Sequence, residues 1–103
     1  MAYKVFISKP AENDMLDIVQ YISSILDAPV TASKMLDNII NAVDSLNKMP
    51  YGYQLVDDER LSSLGYRKMP VKNYFIFFTI DEKNRRVIIE RILYARRDWK
   101  HFL

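Results

Sequence analysis

The chain has no cysteine, one histidine, one tryptophan and two glycines among its 103 residues. Each scarcity closes off a chemistry. Without cysteine there is no disulfide framework and no thiolate metal site. One histidine is too few for a histidine-based zinc centre. Two glycines do not make a phosphate-cradling loop, and no G-x-x-x-x-G-K-S/T occurs. A nucleophile elbow and an HExxH pair are missing as well. No apolar run approaches the roughly 18 residues needed to span a membrane. Nothing at the start resembles a secretory signal. The expectation is a cytoplasmic protein with no membrane partner, no cofactor and no metal. Asp57, Asp58 and Glu59 form an acidic run, but nothing around it specifies a metal, and it reads as a solvated loop.

What is present fits one soluble domain spanning residues 1–103, with 50% hydrophobic and 27% charged residues. The net charge of +2 hides an asymmetry. Residues 1–64 hold five Lys/Arg against nine Asp/Glu, whereas residues 65–103 hold ten against four. The second part is where an anionic partner would be drawn.

Periodicity outlines the elements. Tyr3 to Ser8 alternates and is rich in β-formers, which predicts a strand. Ser8 is placed to cap a helix that begins at Lys9-Pro10. Ala11, Met15, Ile18, Ile22 and Ile25 then recur at helical spacing. After "LDAPVT", Ala32, Met35, Leu36, Ile39, Val43 and Leu46 share one face of a second helix, which must end before Met49-Pro50. The short break predicts an antiparallel helical hairpin. Residues 51–65 read as a loop or short irregular strand. Three strands follow: Tyr66 to Val71, Tyr74 to Ile80, and Arg85 to Ala95. The continuous apolar run "YFIFFTI" predicts a central strand covered on both faces. The order β-α-α-β-β-β gives an α+β fold, with an N-terminal strand and a helical hairpin packed on a small, curved, mostly antiparallel sheet.

The candidate functional residues are cationic. Arg67 and Lys68 share a strand, and Arg96, Arg97, Trp99, Lys100 and His101 crowd the last eight residues. Arginine pairs bidentately with phosphate or carboxylate. Trp99 and Tyr94 have rings that could stack on bases, although Trp99 is expected to pack its ring against the helices. Arg91 interrupts an apolar strand between Ile89 and Leu93. It is expected to pair with a carboxylate on another element, because its neighbour Glu90 points to the opposite face in a regular strand.

An ordered set of motifs carries a resemblance. It comprises "A-x-x-D-x-x-D-I-x-x-Y-I" from Ala11 to Ile22, "L-x-x-x-P" from Leu46 to Pro50, and "G-Y-R" from Gly65 to Arg67. "N-Y-F-I-F-F-T-I-D" from Asn73 to Asp81 and "I-I-E-R-I-L-Y-A-R-R-D-W" from Ile88 to Trp99 complete it. Together they resemble the RelE/ParE superfamily of toxins from type II toxin–antitoxin, or plasmid stabilisation, modules. The resemblance covers nearly the whole chain and leans to the ParE-like branch. It implies the fold outlined above and a growth-inhibiting toxin, neutralised by a cognate antitoxin in a toxin–antitoxin hetero-oligomer. RelE-like members cleave mRNA in the ribosomal A site, and ParE-like members poison DNA gyrase.

RelE-like cleavage needs no metal; basic groups orient the 2′-OH and stabilise the developing charge. The resemblance puts Arg67 where those enzymes carry a lysine on the second strand, and Arg97 where they carry a late arginine. Two positions depart. Phe75 stands where an arginine opens the middle strand, and the C-terminal tyrosine has no clear counterpart, His101 being nearest. A RelE-like site would therefore use Arg67, Arg97 and His101 as catalytic residues. A ParE-like toxin would meet its target through Arg96, Arg97, Trp99 and Lys100. The departures favour gyrase inhibition without catalysis over ribosome-dependent mRNA cleavage. Met15, Ile18, Ile22, Ile39, Val43 and Leu46 are expected to exceed what so small a sheet covers, leaving some apolar surface on the helices or the sheet edge for an antitoxin segment that folds on binding.

Overall fold

A computed structural model of the chain describes residues 2–103. Strand β1 (Lys4–Ile7) leads into helix α1 (Lys9–Gln20), which widens into a π-helical turn at Tyr21–Ile25. Helix α2 (Pro29–Ser45) returns antiparallel to it. A 3-10 turn (Pro50–Gly52) and a short helix α3 (Glu59–Ser63) precede strands β2 (Arg67–Val71), β3 (Tyr74–Asp81) and β4 (Arg86–Tyr94). A 3-10 turn at Trp99–Phe102 ends the described chain.

The start of α1 follows the expected capping chemistry. Ser8 is extended, its Oγ accepts the Ala11 N–H, and proline occupies the first turn, where a missing N–H costs nothing. At the far end Tyr21–Ile25 winds as a π turn, and Ile25, expected on the buried face, is 70% exposed. The wider turn changes the angular step per residue and carries Ile25 out of the apolar stripe. Asp27 then takes a positive φ of 51° to reverse the chain into α2.

The sheet order is β1-β4-β3-β2. β1 runs parallel to β4, and the other two pairings are antiparallel. β3 is interior, and Ile76, Phe77 and Phe78 are all fully buried although they alternate between faces. The two helices cover one face. Ile18, Ile22, Ile39, Val43 and Leu46 are buried against Met69, Ile76, Phe78, Val87, Ile89 and Ile92, with Met15 partly buried at the margin. The sheet and the second helix suffice to cover these helical residues. The apolar surface left open on the helices and the sheet edge therefore belongs to other residues, among them Leu16, Tyr21, Ile25, Phe6 and Ile7.

The loop expected over residues 51–65 contains α3. Asp58 caps it, its Oδ1 accepting the Leu61 N–H, and Leu61 is fully buried. The acidic run is a helix start, where carboxylates meet the positive end of the dipole. No group of residues fit to hold a metal ion occurs among the described residues. Nor, among them, is any helix long and apolar enough to cross a membrane.

The two sheet edges differ. On β2 the outward N–H of Lys68 is taken by Gln54, and the next outward position is Pro70, which has no N–H. At the two ends of β1, the Lys4 N–H donates inward to the Arg85 carbonyl just before β4, and the Ser8 N–H donates to the Ile89 carbonyl within it. Alternation therefore turns the main-chain groups of Val5 and Ile7 outward. Phe6 and Ile7 are also exposed there.

Candidate functional site

Parity along β2 decides which cations share a face. Arg67 is opposite Phe78 and Met69 opposite Ile76, so Arg67 lies on the helix side. Its Nη1 donates to the Tyr53 carbonyl at 2.6 Å, and its guanidinium lies over the Tyr51 ring at 5.1 Å. Lys68 is opposite Phe77 and so lies on the outer side. Its ammonium sits 4.4 Å from the Phe75 ring centroid and 5.4 Å from that of Trp99.

The outer face has its own small core of Val56, Leu61, Phe77 and Leu93, packed by Tyr66, Phe75, Trp99 and Leu103. Trp99 is half-buried, 5.1 Å from Phe77. It packs as expected, but against the sheet face turned away from the helices. The reason is the chain path: β4 ends at Tyr94, and the turn at 95–98 folds the tail back over the outer side. Leu103 joins that core, and Arg60 Nη2 donates to its main-chain oxygen at 3.0 Å. The burial of Tyr66 pushes its hydroxyl pKa up, with the Glu90 carboxylate adding to the effect.

Arg91 sits at a β-bulge. Phe77 is opposite Arg91 and Phe78 opposite Ile89, which leaves Glu90 as an extra residue on β4. The strict alternation expected around Arg91 fails here, and Arg91 shares a face with Leu93 but not with Ile89. Its carboxylate partner is Asp14 of α1. Arg91 Nε donates to Asp14 Oδ2 at 2.8 Å and Nη2 to Oδ1 at 2.9 Å. The Ile92 N–H, beyond the reach of β1, also donates to Asp14 Oδ2. The carboxylate hydrogen bonds raise the Arg91 pKa above its ordinary value. Thr79 holds the Glu90 side chain, and Ser8 Oγ donates to the Glu90 carbonyl.

The tail residues divide by partner. The Arg97 guanidinium stacks 3.9 Å from the Phe102 ring centroid. Lys100 lies 4.0 Å from Asp58 and 5.7 Å from the Trp99 ring. His101 Nε2 is 3.0 Å from Asp98 Oδ2, with the imidazole 79% exposed. Arg96 is exposed and makes no ion pair among the described residues. Lys68, Arg97, Trp99 and Lys100 therefore share the outer face, and Arg67 does not. Sequence reading named Lys68 among the cations but gave the site role on that strand to Arg67. The signal was available in the parity of β2, because Met69 is the residue that must face the helices.

A family model described as "ParE toxin of type II toxin-antitoxin system, parDE" matches residues 5–99. No curated protein matches the chain. Among solved structures, the chromosomal ParDE toxin–antitoxin system from P. aeruginosa superposes with a TM-score of 0.77 at 16% identity, over 92% of this chain and 98% of that one. The toxin–antitoxin complex RelBE2 from Mycobacterium tuberculosis gives a TM-score of 0.68 at 17% identity, over 91% and 99%. At these identities the superpositions speak for the α+β fold, with its N-terminal strand, helical hairpin and mixed sheet.

Proposed function

The chain belongs to the ParE toxin family of type II toxin–antitoxin systems, and from that membership we propose that it arrests growth by binding DNA gyrase through the cationic outer face. One observation carries this reading over RNA cleavage: the residues a RelE-like site would use do not converge. Arg67 lies on the helix side with its guanidinium committed to Tyr53, whereas Arg97 lies on the outer side. Phe75 lies on the outer face, where its ring carries Lys68. His101 is solvated and paired with Asp98, so it offers no buried proton-transfer group beside Arg67 or Arg97. What remains is a cationic and aromatic surface suited to binding.

Lys68 keeps the alternative in play. It is a second-strand lysine beside Trp99 and on the side of Arg97, the neighbourhood in which phosphate charge would be stabilised. Purified protein tested on gyrase supercoiling and on translating ribosomes separates the two readings. Inhibited supercoiling with intact transcripts is the expected result. Codon-phased mRNA 5′ ends that vanish in Arg97→Ala and His101→Ala proteins would replace this reading with an endoribonuclease.

The partner on the proposal is a cognate antitoxin. The support is surface left uncovered: the outward main chain of β1 with Phe6 and Ile7, and a groove of about 660 Å³ lined by Tyr21, Leu26, Met35, Tyr74 and Tyr94. A segment that adds a strand to one and an apolar anchor to the other would order as it binds. A free protein that shows no affinity for the product of the neighbouring gene counts against this partner.

A further inference from the structure

Asp14 is the one buried charged residue among those described. Its two oxygens are occupied by Arg91 Nε, Arg91 Nη2 and the Ile92 N–H. That bidentate grip fixes the plane of the Arg91 guanidinium and aims its remaining nitrogen along the outer face. Arg91 Nη1 donates to the Phe102 carbonyl at 3.1 Å. The Phe102 ring then lies 5.8 Å from the Arg91 guanidinium and 3.9 Å from that of Arg97. A buried carboxylate on the first helix is thus connected, through one arginine and one ring, to an exposed arginine on the tail.

We propose that Asp14 and Arg91 are positioning residues for Arg97: they dock Phe102, whose ring holds the Arg97 guanidinium in the orientation that meets the target. An arginine on a surface turn samples many rotamers. A flat ring beneath the guanidinium restricts it to one plane and leaves its N–H fork free for a partner. Phe102 supplies that ring, and its carbonyl is the handle by which Arg91 places it. The inference rests on the reading that the outer face contacts the target, and it adds that α1 sets how sharply that face is defined.

The test is a double-mutant cycle read by growth arrest, as the cellular toxin level needed for half-maximal effect. Phe102→Leu keeps the carbonyl and an apolar side chain but removes the stacking surface. It should raise the required level about tenfold, the factor that corresponds to ~1.4 kcal/mol. In an Arg97→Ala background it should add nothing, because Phe102 acts through Arg97. Asp14→Asn should raise the required level as well, and it should speed amide hydrogen exchange at residues 97–103 while the α2 amides stay protected. A Phe102→Leu loss that multiplies with that of Arg97→Ala overturns the inference, since the ring would then act on its own. So does an Asp14→Asn protein that keeps full toxicity with a loosened tail. If Arg97→Ala alone is fully toxic, this inference falls while the outer-face reading stands, and only a Lys68→Ala and Trp99→Ala protein that is also folded and fully toxic brings that reading down.

Discussion

On the helix side of the sheet, fifteen buried residues among those described, drawn largely from the two long helices and from β2, β3 and β4, form one continuous core. On the outer side only four are buried, and a five-residue helix and the tail cover them. Burial contributes roughly in proportion to apolar area, so the first side carries the stability of the domain. The outer side is too small to do so. Its aromatic rings serve a different end: Phe75, Trp99 and Phe102 each lie against a lysine or arginine. The helix face is the drier of the two, and the outer face gathers lysine and arginine against rings at the water boundary. The division explains how a chain this short keeps a rigid fold while leaving several cations in solvent.

The sharpest break in that comparison should come from the helix side. Ile39 is fully buried on α2, and Ile39→Ala should cost about 3–4 kcal/mol. At about 4–8 °C per kcal/mol for a domain of this size, thermal denaturation should show a loss of well over 10 °C. Arg91→Ala comes next, at about 2–4 kcal/mol, because it strands the buried Asp14 carboxylate with only the Ile92 N–H. An unchanged melting temperature would mean that the pair serves only the tail. Trp99→Ala should cost less, about 1–2 kcal/mol, since its ring is only half-buried on Phe77. Toxicity should nevertheless fall with it, because Lys68 and Lys100 lose the ring they lie against. A Trp99→Ala protein as unstable as Ile39→Ala would erase the distinction between the two sides.

The smallest effect is expected at the β3–β4 turn. Asn84 and Arg86 hydrogen bond the Asp81 carboxylate and hold its pKa down from 3.8 to about 2. The folded value lies below the unfolded one, so the ionised carboxylate stabilises the fold above pH 4, and that contribution fades as the pH falls toward 2. Asp81 is solvated, and the melting temperature should decline only gently over this window. Asp81→Asn should flatten the decline.

Much of the fold was legible because its signals are local. Ser8 before Lys9-Pro10 announced a capped helix, Met49-Pro50 closed the second one, and the apolar run at Tyr74 to Ile80 identified the interior strand. Three misreadings share a cause: a one-residue offset that no local pattern reports. The π turn rotates Ile25 into solvent. The bulge breaks the alternation around Arg91. Parity puts Lys68 rather than Arg67 beside the tail, because a shift of one residue along a strand exchanges its faces. Helix α3 was missed because five residues carry too little periodicity. Asp14 could not be recognised as the partner of Arg91, since 77 positions separate them and only the fold brings them together.

The bulge has a consequence for insertions and deletions. Val87, Ile89 and Ile92 face the helices, and Arg91 and Leu93 face outward. Glu90 is the residue that regular pairing would not need. Loss of its single codon would restore plain alternation and leave each of these side chains on the face it already occupies. Elsewhere in the interior strands, losing one codon would turn every following side chain the wrong way. The strand therefore has one site at which its length can change without scrambling the core, and that site adjoins the arginine that anchors the tail.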